Sequence, residues 1–156
     1  MPFIEVIEPE EAAGSLKEIY DDLIQSRGKL AMVHKIQSLN PESITAHMDL
    51  YMKVMFGKSP LKRAQREMMA VIVSAVNQCE YCQLHHGEAL NHYWKDDEKV
   101  EQLRKDYNKL NLSEADLELC KLAENLRYIH TPSMKKAISN HLKNLDSQIE
   151  PSWMQP

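Results

Sequence analysis

The stretch NQCEYCQLHHGEAL, residues 77–90, gathers groups able to do chemistry: Cys79 and Cys82, three residues apart, followed by His85 and His86. The chain of 156 residues holds only three cysteines. On a helix, residues three or four apart share a face. Cys79, Cys82 and His86 therefore line up if a helix begins near Cys79, and His85 then points elsewhere. A cysteine in a first helical turn meets unpaired backbone N–H groups and the positive helix end, which draw a thiol pKa from about 8.5 toward neutrality. The thiolate is the nucleophile, so a CxxC at a helix start is suited to forming, opening and re-forming a disulfide. Two other readings stand beside this one. Zinc takes four ligands; Cys79, Cys82 and His86 supply three, with His85 or Glu67 as a strained fourth and no second ligand pair elsewhere. The pair could also be packing alone. Glu67 is the next unusual residue, twelve positions before Cys79 where a charged segment turns apolar. Partial burial there would raise its pKa and suit it to proton transfer; the alternative is a surface carboxylate paired with Arg63 or Arg66.

Together these residues spell E-x11-C-x2-C-x3-H, from Glu67 through Cys79 and Cys82 to His86. The pattern, and the text around it, SPLKRAQREMMAVIVSAVNQCEYCQLHHGEAL, resemble the alkylhydroperoxidase D core of the carboxymuconolactone decarboxylase superfamily, in its peroxidase-related branch. The resemblance runs from about Pro2 to Thr131. It implies an all-α, single-domain helical bundle that oligomerises. It also implies haem-free, thiol-based reduction of organic hydroperoxides, without cofactor or metal, renewed by an external dithiol protein. Carried over residue by residue, Cys82 is the peroxidatic thiol and Cys79 the resolving one, with Glu67 and His86 as proton relay. Two departures stand out. Tyr81 occupies the place before the second cysteine where the best-studied members have histidine. The chain also closes on SQIEPSWMQP where relatives continue with apolar helix, so a neighbouring subunit is expected to cover the surface left bare. Rival functions are a decarboxylase-type enzyme of the same superfamily, which has no need of a dithiol, a zinc-binding module, and a non-catalytic helical oligomer.

The elements that must position these residues read as helices throughout. Ser15 with Glu18 makes a capping-box pattern ahead of a stripe formed by Leu16, Ile19, Tyr20, Leu23 and Ile24, with Gly28 as the stop. A short helix is predicted over 31–39. Asn40-Pro41 opens a helix whose buried face carries Ile44, Met48, Tyr51 and Met55 and which ends at Gly57. Ser59-Pro60 repeats that start for a helix that becomes apolar nearly all round, and so belongs at the centre of the fold, until Asn77-Gln78 interrupts it. A helix over about 80–92 follows. WKDDEKVEQLRKDY reads as mostly surface. Ser113 with Asp116 caps the next helix, and Thr131-Pro132 opens a last one to about Leu145, before an irregular tail over 147–156. One domain is expected over 1–156, its core about 15–131. An apolar substrate pocket is expected from Met68, Met69 or the helix 40–56.

Composition bounds the function. Net charge is -4 without a basic block, which argues against nucleic acid and anionic membrane as partners. No apolar run is long enough to cross a bilayer, and the acidic start MPFIEVIEPEEAAG lacks the pattern of a signal peptide. The expected location is the cytoplasm, where a close cysteine pair is more often catalytic or metal-binding than a permanent staple. Four glycines and nine methionines fit helices whose gaps flexible side chains fill. Cys120, beside Leu117 and Leu119, reads as a buried structural cysteine. His34, His47, His92, His130 and His141 share no ligand spacing and read as structural or exposed.

Overall fold

The computed structural model describes residues 4–126 and Asn140. Among these residues the fold is all-helical, with seven α-helices, one 3-10 turn and no strand. The chain forms two compact units, Met1–Gly57 and Lys58–Pro156.

The first unit contains α1 (Gly14–Arg27), α2 (Met32–Lys35) and α3 (Pro41–Phe56). Leu16, Tyr20 and Leu23 of the expected stripe are buried with Ala12 and Ile44, and Ile7, Ile19, Leu30 and Met48 pack around them. Ile24, at the stripe's edge, is exposed. Tyr20 also carries a polar group inward, and its hydroxyl donates to the Ile7 carbonyl at 3.1 Å. The Ile7 N–H in turn donates to Ser38 Oγ at 2.9 Å, which satisfies a hydroxyl that is 1% exposed. Gly28 ends α1 in the left-handed conformation, φ 75°, its N–H reaching the Ile24 carbonyl. The N-terminus differs from expectation. α1 starts at Gly14 with Ala13 at the N-cap and no side-chain cap. Ser15 is already helical, so the Ser15/Glu18 box does not form.

The second unit is built on α4 (Arg63–Val76), against which α5 (Glu80–Trp94), α6 (Asp97–Lys105) and α7 (Glu114–Asn125) pack. The 3-10 turn Tyr107–Lys109 lies between α6 and α7. Met68, Val71 and Ile72 of α4 form the core with Leu90, Val100, Leu103, Tyr107, Leu119, Cys120, Leu122 and Ala123. Burying each large apolar side chain contributes about 1.5–3 kcal/mol, and these contacts hold α5 against α4. Gly87 lets α6 come close, since a Cβ there would lie 3.3 Å from Val100 Cγ1. The charged segment expected at the surface thus contributes two buried residues, Val100 and Leu103. Met68 is part of this core at 1% exposure.

Two helix starts test the sequence signals in opposite directions. Ser113 Oγ accepts the Asp116 N–H at 3.1 Å, as its pattern predicts. Ser59-Pro60 does not open α4. Ser59 Oγ instead accepts the Leu61 N–H at 3.1 Å in a local turn, and the helix begins at Arg63, where Gln65 Oε1 accepts the Lys62 N–H at 2.9 Å. A short hydroxyl side chain two residues from a backbone N–H favours the turn over the cap. Apart from Asn140, the expected helix 131–145 lies outside the described residues, as do the irregular tail, His130 and His141.

Cys120 is wholly buried, and its thiol pKa is pushed up to about 12, first by burial and then by the carboxylates of Asp116 and Glu124. Beside it, the buried Tyr107 hydroxyl donates to Glu124 at 2.5 Å. A thiol held this far above neutral pH stays protonated and is a poor nucleophile. Iodoacetamide should therefore leave Cys120 unmodified in the folded protein up to mildly alkaline pH and modify it after unfolding. Peptide mapping of the alkylated protein checks this, and rapid labelling of folded Cys120 would show that the site opens.

Candidate active site

The junction between α4 and α5 decides where the cysteines go. α4 ends in a Schellman-type cap. Gln78 adopts the left-handed conformation, φ 56°, its N–H bonds to the Ala75 carbonyl, and the Cys79 N–H bonds to the Ser74 carbonyl, both at 3.0 Å. The chain reverses there, and Cys79 becomes the N-cap of α5. Its Sγ accepts the Cys82 N–H at 3.3 Å, replacing the oxygen usually found at that position. Cys79 and Cys82 are joined as a disulfide across a Cα–Cα distance of 5.4 Å. The two sulfurs thus lie in the first turn of a helix, where backbone N–H groups and the helix dipole favour sulfur anions.

His86 follows one turn after Cys82 on α5 and faces α4. Its Nδ1 lies 2.7 Å from Glu67 Oε2. The Glu67 side chain is 0% exposed and that of His86 is 29% exposed. Because a carboxylate oxygen only accepts, the Nδ1 nitrogen carries the hydrogen, and in the neutral ring Nε2 is then the nitrogen with the lone pair. Glu67 Oε1 is ion-paired with Arg63, one turn earlier on α4, whose side chain is 16% exposed. A fully buried carboxylate must be paired to remain there: Oε2 has the hydrogen bond with His86, and Oε1 has the ion pair with Arg63 and no hydrogen bond. Arg66 Nε donates to the Leu61 carbonyl at 3.2 Å.

The sequence reasoning singled out Glu67, Cys79, Cys82 and His86. The structure brings Glu67 to His86, and sets the cysteine pair on the same helix as that histidine. Arg63 entered only as the partner of a surface carboxylate. The pairing forms, but in the interior, and the i, i+4 spacing from Arg63 to Glu67 was its signal. His85 points away and packs its ring 4.3 Å from that of Tyr81. Tyr81, the residue just before the second cysteine, is 41% exposed and faces solvent. His34, outside this unit, is buried. Among the described residues no group of three or more His, Cys, Asp or Glu is arranged to hold a metal ion. Nor is any helix among them long and apolar enough to cross a membrane.

Residues 41–106, which include the whole E-x11-C-x2-C-x3-H pattern, match the carboxymuconolactone decarboxylase family. No curated protein matches the chain. Among solved structures, a peroxidase-related protein from a Silicibacter species is similar at 25% identity and a TM-score of 0.67, over 90% of this chain and 72% of that one. An alkylhydroperoxidase AhpD core, a peroxidase-related protein from Ralstonia eutropha, shares the fold with a TM-score of 0.71 at 21% identity, over 88% of this chain and 74% of that one. The helical fold, the motif and the family match agree: residues 41–106 match the carboxymuconolactone decarboxylase family, and the chain has the alkylhydroperoxidase D-like fold.

Proposed function

We propose that the protein is a haem-free peroxidase that reduces organic hydroperoxides through the Cys79–Cys82 pair. One observation carries this reading: the disulfide sits at the start of α5, one turn from a histidine whose Nδ1 is fixed by a wholly buried carboxylate. In the reduced protein Nε2 of His86 accepts the Cys82 thiol proton. The thiolate attacks the terminal oxygen of the hydroperoxide, the O–O bond breaks, and the leaving alkoxide takes a proton from His86 and departs as alcohol. Cys82 is then a sulfenic acid. The Cys79 thiol attacks that sulfur, the S–O bond breaks, and water leaves as the disulfide forms. An external dithiol protein returns the pair to two thiols and is itself oxidised to a disulfide.

The similarity to a peroxidase-related protein supports the reading. The family's name also covers decarboxylation, but a dithiol has no part in that chemistry. The same reading takes the protein as cytoplasmic and self-associating, and the exposed Leu50 and Met52 of α3 favour association. The direct test is mass spectrometry of the fully reduced protein before and after one equivalent of an organic hydroperoxide. The expected product is the Cys79–Cys82 disulfide with one equivalent of alcohol released. A pair that stays reduced while the peroxide persists would overturn the proposal.

A further inference from the structure

We infer that Arg63 is a positioning residue of the site: by holding Glu67 as a carboxylate inside the fold, it fixes which nitrogen of His86 is free to take the thiol proton. The inference rests on the proton-relay reading above and adds a residue to it. Glu67 lies on the apolar part of α4, flanked by the core residues Met68 and Val71, and its side chain has no exposure. An unpaired carboxylate in such a place takes up a proton. A protonated Glu67 would donate to His86 Nδ1 instead of accepting from it. The ring hydrogen would then move to Nε2, the atom that must accept from Cys82, and the base would be lost without any displacement of the histidine.

The geometry guards against this. The guanidinium of Arg63 takes Oε1 while His86 Nδ1 takes Oε2 at 2.7 Å. Each carboxylate oxygen faces a cation or an N–H donor, which favours this one orientation of the group. Arg63 is one turn from Glu67 on the same helix, so the ion pair moves with α4 and presents a fixed acceptor to α5. A guanidinium keeps its charge at every relevant pH, which makes the arrangement permanent.

The test reads the histidine directly, in the oxidised protein, where the two active-site thiols are absent. Nitrogen-15 NMR at mildly alkaline pH should show the wild-type His86 ring with hydrogen on Nδ1 and a bare Nε2. Arg63→Met should convert that signature to hydrogen on Nε2 or on both nitrogens, and Arg63→Lys, which restores the charge, should recover it. In the reduced protein Arg63→Met should slow alkylation of Cys82 at neutral pH by about 10²-fold, the lower end of what a positioned general base contributes. The double variant Arg63→Met/Glu67→Gln replaces the buried ion pair by neutral groups, an exchange that folded proteins tolerate. It should alkylate at the rate of Glu67→Gln alone, because Arg63 acts only through Glu67. An unchanged nitrogen signature in Arg63→Met, or a further loss of rate in the double variant, overturns the inference. A wild-type protein that consumes no peroxide but shows the nitrogen changes would remove the peroxidase reading and leave the role of Arg63 standing.

Discussion

Cys82→Ser is expected to abolish peroxide consumption, whereas Cys79→Ser should complete one reduction and stop with a sulfenic acid on Cys82. Both sulfurs lie at the start of α5, and both gain from its unpaired N–H groups, so the helix end alone does not separate them. Cys79 even has a specific donor, the Cys82 N–H at 3.3 Å. The separation comes from the histidine. His86 is four residues from Cys82, on the same face of α5, and seven from Cys79, two turns away. Only Cys82 therefore has the proposed base, His86, within one turn. A serine at that position offers a hydroxyl that stays protonated and attacks peroxide far more slowly than a thiolate. In Cys79→Ser the first step is intact but no thiol remains to condense with the sulfenic acid, since Cys120 is buried in the core. Dimedone labelling followed by peptide mapping distinguishes the cases. Label on Cys79 in the Cys82→Ser variant, with none on Cys82 in the converse, would mean that the N-cap sulfur is the nucleophile and that the two roles are exchanged.

Which residues of the motif lie together was legible where spacing along one helix decides it, for physical reasons that particular residues make clear. The E-x11-C-x2-C-x3-H spacing survives folding because each interval lies on a helix or at a helix end, where spacing and direction are coupled. Gly28 and Ser113 were legible because a left-handed stop and a hydroxyl cap need little besides the local sequence. Ser15 and Ser59 carry the same residue type and failed. At Ser15 the helix extends one residue further back, to Gly14. At Ser59 a local turn captures the hydroxyl. The α4–α5 reversal was legible only as an interruption, because Gln78 takes a left-handed conformation more often signalled by glycine or asparagine. The burial of Glu67 was the largest ambiguity. A charged residue at the edge of an apolar helix can face either way, and the choice depends on partners from two places, Arg63 on its own helix and His86 on the next. The first could be guessed from i, i+4 spacing, but the second required knowing how α5 packs on α4.

That packing makes Glu67→Gln and His86→Ala the most informative pair of substitutions. If Glu67 were a surface residue its amide variant would change nothing measurable, as most exposed substitutions do. Because it is wholly buried and bonded to His86 Nδ1 at 2.7 Å, the amide should weaken the hold on the ring and remove the negative charge beside it. The Gln side chain can still accept the Nδ1 hydrogen, so orientation is partly retained and the loss is mainly electrostatic. His86→Ala removes the base itself. A positioned general base contributes about 10²–10⁴-fold, so His86→Ala should lose that much in the rate of Cys82 reaction at neutral pH, and Glu67→Gln a smaller part of it. The sign of the pH dependence follows from the chemistry. Both variants should react more slowly near neutrality, where the proposed relay has His86 take the thiol proton. The gap should close as pH rises, because hydroxide then generates the thiolate unaided. The measurement is the rate of Cys82 alkylation by iodoacetamide against pH in reduced wild type and the two variants. Curves that converge at high pH and separate at neutral pH, in the order wild type, Glu67→Gln, His86→Ala, are the expected result. Superimposed curves would show that neither side chain activates the thiol. The buried hydrogen bond between them would then serve only to tie α5 to α4.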